Sequence, residues 1–350
     1  MKKIEYSYEQ HKLKWWHTLL LLLLMVGTFL IVQERWNTAA AWSQGEIQRE
    51  EGMVFGTFYH ITYRSTGSME DSIKAVLQQV DRSLSPFNKE STITAINENT
   101  STKVDPMLAE VFLLACNIST QTDGAFDITV APLVNLWGFG FKNMDNVSPQ
   151  KVDSLLDYVG IEKVKLNGGR LTKSSSEVML DCSAIAKGYG VDAVGRMLER
   201  NGVQSYMVEI GGEVRLRGCN PHGKDWSVGI SKPEEGGNGG MEQVIHTTNM
   251  SMATSGNYRN FYVKDGKKYA HTIDPRTGYP VQHSILSSTV LAEDCATADA
   301  YATSFMVLGL DSAKAVLKKH PELQAFFIYS TKDGGTDEWC SPGLEKLLNK

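Results

Sequence analysis

The chain has 350 residues, of which 42% are hydrophobic and 21% are charged, and its formal net charge is −5. This composition is close to that of folded globular proteins and excludes a chain that is disordered throughout. Beyond the N-terminus no run of Lys and Arg is dense enough to follow a phosphate backbone, which argues against nucleic acid as the main partner.

The N-terminal segment predicts export. Residues 1–14 are basic, with Lys2, Lys3, Lys12 and Lys14, and residues 15–32 form an almost unbroken apolar stretch. A stretch of this length suits a signal peptide that is cleaved or a signal anchor that is retained, and both remain open. A buried core helix is the structural alternative. The lysines predict a cytoplasmic N-terminus, followed after the membrane segment by a linker at 33–50 and a folded body at 51–350.

Hydrophobic periodicity predicts an α+β body with mainly antiparallel pairing. A strand at 58–63 leads into a helix at 68–83. Further helices are predicted at 105–121, 149–158, 184–201, 294–309 and 311–320, and further strands at 177–182, 205–210, 213–218, 225–231, 259–264, 269–274, 286–292 and 324–329. The glycines at 236–240 and 334–335 predict exposed turns.

The five cysteines are scattered singly along the chain. None belongs to a C-x-x-C pair, so neither a zinc site nor a redox dithiol is indicated. We expect most of them to be small buried residues.

The strongest local signal is the segment TADAYAT at 297–303. On the predicted helix, Asp299 and Thr303 are one turn apart and project from the same face. Oxygen ligands in this arrangement suit Mg²⁺, which takes few protein ligands. A structural role explains the same spacing, with Asp299 favoured by the helix dipole and Thr303 bonded to the preceding turn.

A second signal is LDCSAIAKGYG at 180–190, which predicts a strand that turns tightly into a helix. The N–H groups of such a turn favour anions, and Lys187 adds a positive charge beside them. The spacing is not that of a nucleotide-hydrolase loop. A plain strand-to-helix connection with a surface lysine fits the same residues.

A third signal is HTIDPRTGYP at 271–280, a tight loop at a strand end. His271 could take a proton from a hydroxyl, and Arg276 could bind phosphate or brace the loop. In the structural alternative Asp274 and Arg276 only stabilise the turn. Aromatic residues beside glycines at 124–133 and 136–140, together with Phe55 and Phe87, could form flat surfaces for a ring system or belong to the core.

Read in order, these segments resemble the FAD:protein FMN transferase family, the ApbE-like flavin transferases. The resemblance runs from about Gly52 to Gly309 and is carried by eight ordered motifs: FGTFYHI, LSPFNKESTITAIN, GAFDITVAPLVNLWGFG, LDCSAIAKGYGVD, VEIGGEVRLRG, ATSGNYRNF, YAHTIDPRTGYPV and ATADAYATSFMVLG. It implies a T-fold-like body of two related halves with FAD between them. It also implies a reaction in which a Ser or Thr hydroxyl of a target protein attacks the FMN phosphorus of FAD, with Mg²⁺ bound and AMP leaving.

The resemblance implies a role for each matching position. Asp299 and His271 would be the catalytic pair, with His271 beside the pyrophosphate as the base. Mg²⁺ would be bound by Asp299, Thr303 and the backbone carbonyl of Ala184. The FAD site would be lined by Phe55, Phe87, Ala125, Phe126, Asp127, Asp181, Lys187 and Ile273. The family often has Met in place of Phe55 and Trp or Tyr in place of Phe87, changes that bear on flavin affinity.

The resemblance further implies partners, and the N-terminal segment predicts a location. The targets would be flavin-accepting domains of membrane redox complexes, of the sodium-pumping quinone reductase or Rnf type. The chain would act on the periplasmic side of the inner membrane, anchored or released after signal cleavage. Two alternatives stay open: an FAD pyrophosphatase that uses water as the acceptor and releases FMN and AMP, and a non-catalytic periplasmic FAD-binding protein.

Overall fold

The computed structural model describes residues 19–30, 33, 45–141, 146–231, 241–256, 261–264, 267–282 and 284–348. The chain divides into two units, Met1–Gly45 and Glu46–Lys350. In the first unit, residues 19–30 form helix α1. No helix among the described residues is both long and apolar enough to cross a bilayer. Residues 15–18 and 31–32 of the predicted signal segment lie outside the described part.

The second unit alternates strands and helices. Its described strands are β1 (Glu46–Val54), β2 (Thr57–Ser65), β3 (Val164–Asn167), β4 (Arg170–Lys173), β5 (Tyr206–Ile210), β6 (Glu213–Arg217), β7 (Trp226–Ser231), β8 (Met241–Thr247), β9 (Ser251–Gly256), β10 (Phe261–Lys264), β11 (Lys267–Ala270), β12 (Ile285–Ala292), β13 (Gln324–Ser330) and β14 (Thr336–Cys340). Its described helices are α2 (Glu70–Leu84), α3 (Thr92–Asn97), α4 (Pro106–Gln121), α5 (Ala131–Leu136), α6 (Pro149–Leu156), α7 (Ala186–Arg200), α8 (Cys295–Leu308), α9 (Leu310–Lys319) and α10 (Pro342–Leu348).

One eight-stranded sheet organises this unit, in the order β1-β2-β5-β6-β9-β12-β13-β14. Every neighbouring pair in it is antiparallel. Each half of the sheet has the same order along the chain: two strands, then helices, then two strands. The expected mixed fold with antiparallel sheets is therefore confirmed.

The helices that matter for function lie on one face of this sheet. Helix α7 packs on β5 and β6, α8 packs on β9 and β12, and the two helices contact each other. One apolar cluster seals α2 and α7 onto the first half of the sheet and includes the fully buried Tyr63, Ile73 and Tyr206. Burial of such side chains stabilises the fold by roughly 1.5–3 kcal/mol each.

Three sequence expectations differ from the structure. Residues 177–182 do not form a regular strand, because only Met179 pairs, in a single bridge to Val130, before the chain turns into α7. The predicted strand at 269–274 ends at Ala270, since the following residues enter a tight turn. The predicted linker at 33–50 overlaps β1, which begins at Glu46 rather than near Glu51.

Strand β1 escaped the sequence pattern for a physical reason. It is an edge strand, and its sequence EIQREEGMV has no buried residue. An edge strand that buries little needs no apolar alternation, and charges on it discourage pairing with other chains. The turn predicted at 334–335 is present, with Gly334 at a φ of 86°. The turn predicted at 236–240 lies outside the described residues.

The cysteines are all free thiols. Cys182 and Cys295 are fully buried, and burial raises the pKa of each thiol. The other three are half-buried. Buried protonated thiols behave as small apolar residues, so these two contribute to packing rather than to thiol chemistry.

Gly188 lies where the start of α7 packs closely against α8. A Cβ at this position would lie 2.3 Å from the carbonyl oxygen of Cys295 and 2.9 Å from Cα of Ala296. Both are backbone atoms, so α8 would have to move. We expect Gly188→Ala to lower the free energy of unfolding by about 1–3 kcal/mol.

Denaturant unfolding would measure this loss. The matched control is Gly67→Ala, since no atom lies within 4 Å of the Cβ position at Gly67. That variant is expected to keep the stability of the parent protein within about 0.5 kcal/mol. Equal stability of the two variants would contradict the close approach of α7 and α8.

Candidate functional site

Charged and apolar side chains alternate along strand β6. Glu213, Arg215 and Arg217 lie on the face of the sheet that α7 covers. Val214 and Leu216 lie on the opposite face, in an apolar cluster with Trp226 of β7. The period of two along a strand therefore directs three charged side chains toward one helix.

Helix α7 supplies a partner for each of these charges. The ammonium of Lys187 pairs with Oε1 of Glu213. Arg215 donates to Asp192 at 2.7 Å, and Arg217 donates to Glu199 at 2.8 Å. A second contact joins Arg215 to Glu199 at 3.2 Å. The register between α7 and β6 is thus set by a ladder of ion pairs.

Asp192 also fixes the start of α8. Its two carboxylate oxygens accept hydrogen bonds from the backbone N–H groups of Cys295 and Ala296, at 3.0 and 2.9 Å. Asp192 is 1% exposed. A carboxylate at a helix N-terminus satisfies donors that have no partner within the helix. Asp192 therefore fixes the position of α8 relative to α7, and with it the positions of Asp299 and Thr303 on α8.

Asp299 faces α7 from the first half of α8. It is 3% exposed, and its Oδ2 accepts a hydrogen bond from the backbone N–H of Gly188 at 3.0 Å. Within the part of the chain that the structure describes, Oδ1 accepts no hydrogen bond. Burial raises the pKa of Asp299, while the charge of Lys187 and the Gly188 N–H oppose that rise.

Lys187 and Glu213 complete this cluster. Glu213 is 2% exposed, and burial raises the pKa of its carboxyl against the opposing charge of Lys187. Burial disfavours the Lys187 ammonium, but Asp299 and Glu213 outweigh it and raise the pKa of Lys187. The Lys187 side chain is 32% exposed, so part of it borders solvent. The motif-bearing segments 180–190 and 297–303 therefore meet, as their predicted roles require.

Asp181 shapes the turn that leads into α7. Its Oδ1 accepts from the backbone N–H of Ser183 at 2.8 Å, and its own N–H donates to the carbonyl of Ile128 at 2.7 Å. Burial raises the pKa of Asp181. The turn orders the backbone at Ala184, and the bond to Ile128 ties this turn to the segment that contains Ala125, Phe126 and Asp127.

The segment at 125–127 is buried. Ala125 and Phe126 are 2% and 3% exposed. Asp127 accepts from Thr129 N–H and hydroxyl at 2.7 and 2.6 Å with one oxygen, and from the N–H of Ile161 at 2.8 Å with the other. Burial raises the pKa of Asp127. Both oxygens of the Asp127 carboxylate therefore accept hydrogen bonds from the protein. The segment can contact a ligand through its backbone groups and its apolar side chains.

Thr303 lies on α8 one turn after Asp299. It is half-buried, and its hydroxyl is 3.0 Å from the hydroxyl of Ser255 on β9. Ser255 belongs to the ATSGNYRNF motif but was not singled out from the sequence. A hydroxyl oxygen that is hydrogen-bonded to one neighbouring hydroxyl still has a lone pair with which it can bind a cation.

The loop at 271–280 is held rigidly. Arg276 donates to the carboxylate of Asp274 through Nε and Nη2, both at 2.9 Å, so it braces the loop as one of its two predicted roles. The indole N–H of Trp137 donates to the carbonyl of Gly278 at 2.8 Å. Ile273 is 5% exposed and pairs with Pro280 across the turn.

His271 is the half-buried residue at the entrance to this loop. Its ring packs edge-on against Phe139, with ring centroids 6.4 Å apart. The aromatic segment at 136–140 thus borders His271 and, through Trp137, supports its loop. The contact with Phe139 orients the imidazole ring. The role of His271 as a general base stays a prediction.

Phe55 and Phe87 occupy different surroundings. Phe55 has a φ of 51° in the two-residue turn between β1 and β2, and its ring lies against Gly190 of α7, where a Cβ would come within 2.7 Å. Phe87 is 67% exposed and packs edge-on against Phe141, with centroids 6.3 Å apart. The exposed ring of Phe87 is a surface on which a planar ligand can stack.

Two clefts border the predicted site residues. One, of about 520 Å³, is lined by residues that include Gly124, Asp127 and Arg276. The other, of about 570 Å³, is lined by residues that include Phe55 and Asn88. Asp299 lines neither of them. Lys187 and Glu213 do not line these two clefts either.

The donor set fits a magnesium ion in kind. Among the described residues no three His, Cys, Asp or Glu side chains cluster as a metal site. The predicted set needs no such cluster, because it combines one carboxylate with a hydroxyl and a backbone carbonyl. Mg²⁺ commonly takes one or two carboxylates and completes its shell with water and phosphate oxygens. The open Oδ1 of Asp299 is the feature that fits this ion.

A protein-family model, described as the ApbE family, matches residues 55–327. The chain belongs to the ApbE family. It is 37% identical to the FAD:protein FMN transferase of Haemophilus influenzae over 89% of this chain and 94% of that protein. It is 32% identical to the FAD:protein FMN transferase of Escherichia coli K12 over 93% of this chain and 96% of that protein.

Solved structures of ApbE proteins share the fold. The flavin transferase ApbE from Vibrio cholerae matches with a TM-score of 0.78 and 34% identity, over 87% of this chain and 99% of that one. The flavinyl transferase ApbE from Pseudomonas stutzeri, in its apo form, matches with a TM-score of 0.78 and 30% identity, over 88% and 98%. These matches confirm the family that the eight motifs predict. They also confirm that the chain is an enzyme of the FAD:protein FMN transferase family.

Sequence reasoning missed two residues of the cluster. The sequence places Glu213 within the motif VEIGGEVRLRG and Asp192 at the end of LDCSAIAKGYGVD, but predicts no role for either residue. Their signal was present in the alternation EVRLR of β6 and in the opposite charges of α7, which match it in order. That signal needs the pairing of α7 with β6, which the spacing of either segment does not reveal.

Proposed function

We propose that this chain transfers the FMN half of FAD to a Ser or Thr hydroxyl of a target protein, in a Mg²⁺-dependent reaction that releases AMP. The observation that carries the proposal is the buried Asp299, with one open carboxylate oxygen beside the Lys187–Glu213 pair, in a member of the ApbE family. A pyrophosphate that is to be cleaved needs neutralising charge more than a covalent intermediate.

Mg²⁺ would be held by Asp299, Thr303 and the backbone carbonyl of Ala184. When bound, it supplies charge neutralisation at the phosphate oxygens. Lys187, whose side chain is partly exposed, adds a positive charge at the same place. Its ammonium would bind phosphate oxygens directly. The N–H of Gly188 keeps the Asp299 carboxylate in one orientation.

The remaining residues bind FAD and move a proton. The hydroxyl oxygen of the target attacks the FMN phosphorus, the bond from that phosphorus to the AMP oxygen breaks, and AMP leaves. His271 accepts the hydroxyl proton as general base. Phe55, Phe87, Ala125, Phe126, Asp127, Asp181, Lys187 and Ile273 line the FAD site between the two related halves of a T-fold-like body.

Location and partners follow from the same proposal. The basic and apolar N-terminal segment supports export to the periplasmic side of the inner membrane, as an anchored or a released enzyme. There the targets would be flavin-accepting domains of membrane redox complexes, of the sodium-pumping quinone reductase or Rnf type.

Product analysis tests the metal-dependent transfer. In a mixture of enzyme, FAD, Mg²⁺ and a purified flavin-accepting domain, we expect AMP to form in step with loss of FAD and little free FMN to appear. Excess EDTA is expected to stop AMP formation, and added Mg²⁺ to restore it, because Asp299 and Thr303 alone leave the phosphate charge uncompensated.

Three outcomes would contradict the proposal. AMP formation that is unaffected by EDTA would remove the metal from the reaction. Equal amounts of AMP and free FMN, with or without the accepting domain, would instead identify an FAD pyrophosphatase. An absence of any FAD cleavage would identify a binding protein.

A further inference from the structure

Glu213 is a buried carboxylate that the proposed reaction does not use. It begins β6, directly after Gly211 and Gly212, and is 2% exposed. Its Oε1 accepts from the ammonium of Lys187, whereas its Oε2 is buried without a hydrogen-bond partner in the described structure. A buried carboxylate with one unpaired oxygen lowers the stability of the folded state, which indicates a role for Glu213 beyond packing.

Lys187 lies between two carboxylates. It forms an ion pair with Glu213, and its charge also interacts with Asp299. Among the described residues, Lys187 forms no ion pair with Asp299 within 4.0 Å. The helix N–H of Gly188 occupies only Oδ2 of Asp299, so Oδ1 stays free of both backbone and ammonium.

An ammonium and a divalent cation compete for the same carboxylate oxygen. Both are attracted to the negative charge, and each repels the other at close range. If Lys187 turned from Glu213 to Asp299, it would take the position that a metal ion needs. Glu213 on β6 gives the ammonium a closer and buried counter-charge, which disfavours such a reorientation.

We propose that Glu213 is a positioning residue that holds Lys187 away from Asp299 and so keeps Oδ1 of Asp299 open to the metal ion. The inference rests on the proposed function, since it takes Asp299 as a metal ligand. It adds that metal affinity depends on a carboxylate that does not touch the metal.

Two substitutions separate charge from shape. Glu213→Gln keeps the length and one acceptor oxygen but removes the charge, so Lys187 is left with Asp299 as its nearest carboxylate. Glu213→Asp keeps the charge and shortens the side chain. We expect the Gln variant to bind the metal at least about tenfold more weakly, the size seen when residues that orient metal ligands are changed. The Asp variant is expected to recover most of that affinity.

Metal binding itself gives the readout. Mn²⁺ serves as the probe, and its free concentration is followed by electron paramagnetic resonance with FAD present and no accepting domain. The parent protein, Glu213→Gln, Glu213→Asp and Asp299→Asn are compared, and thermal unfolding of each confirms that it is folded. Asp299→Asn is expected to lose the tight Mn²⁺ site.

A double-variant cycle with Lys187→Gln distinguishes positioning from a structural role. If Glu213 acts by restraining Lys187, Glu213→Gln weakens Mn²⁺ binding only while Lys187 is present, and has little effect in the Lys187→Gln background. Equal weakening in both backgrounds would overturn the proposal. If Glu213→Gln alone does not fold, the double variant still can, because it removes both charges and leaves neither buried without its partner.

The outcomes separate the two claims. Loss of Mn²⁺ binding in Asp299→Asn, with parent-like binding in Glu213→Gln, would refute the role of Glu213 and leave the proposed function intact. Parent-like Mn²⁺ binding in Asp299→Asn would refute the metal site, and with it both claims.

Discussion

Asp299→Asn is expected to lower the rate of FMN transfer about 100-fold or more while the fold is kept. The amide oxygen of Asn can still accept the hydrogen bond that Gly188 donates at 3.0 Å, so the contact between α7 and α8 survives. The charge that would bind Mg²⁺ and balance the phosphates is lost, and electrostatic stabilisation of this kind is among the largest contributions to catalysis. The measurement is the initial rate of acceptor flavinylation at a Mg²⁺ concentration that saturates the parent protein.

The matched control is Asp153→Asn, which changes an exposed carboxylate on α6. Its rate and its thermal stability are expected to equal those of the parent protein. A rate for Asp299→Asn within a few-fold of the parent would contradict the metal role of Asp299. A large loss of stability in that variant would instead show that the fold itself depends on the negative charge of Asp299.

Asp192→Ala is expected to destabilise the protein by on the order of 3–5 kcal/mol, the cost of breaking a buried ion pair by removing one partner. Asp192 is 1% exposed and accepts from Arg215 at 2.7 Å. The variant also leaves the N–H groups of Cys295 and Ala296 at the start of α8 without their acceptor. Denaturant unfolding monitored by far-UV circular dichroism would measure the loss.

Lys74→Ala is the control for an ion pair of the opposite kind. Lys74 and Glu70 form an exposed pair on α2, with half of each side chain accessible. Such pairs contribute about 0.5 kcal/mol or less. A cost for Asp192→Ala that is no larger than the cost for Lys74→Ala would mean that α8 is held by packing alone.

The helices and most central strands could be predicted from the sequence because their burial imposes a period. Helix α2, with Ile73, Leu77 and Val80 buried on one face, follows its predicted bounds closely. Strand β1 could not be predicted in this way, since an edge strand buries no side chain fully. The segment at 177–182 is strand-like in composition, but its partner is the single residue Val130 and not a neighbouring strand.

The site was predictable where one element carries the signal. Asp299 and Thr303 share α8, and Lys187 lies in the first turn of α7, so their residue types and spacing indicate a charged site. The joining of these segments was implied by the ApbE family resemblance and not by spacing. The role of Glu213 depends on the pairing of β6 with α7 and on burial, and neither quantity is visible in a single sequence.

The central claim is that FMN leaves FAD for a protein hydroxyl. Intact-mass spectrometry of a purified flavin-accepting domain, after incubation with this enzyme, FAD and Mg²⁺, tests it most directly. The account predicts a mass gain of one phosphoester-linked FMN per domain, which disappears without Mg²⁺ and with Asp299→Asn. An unchanged domain mass in a mixture where FAD is consumed to FMN and AMP would contradict it.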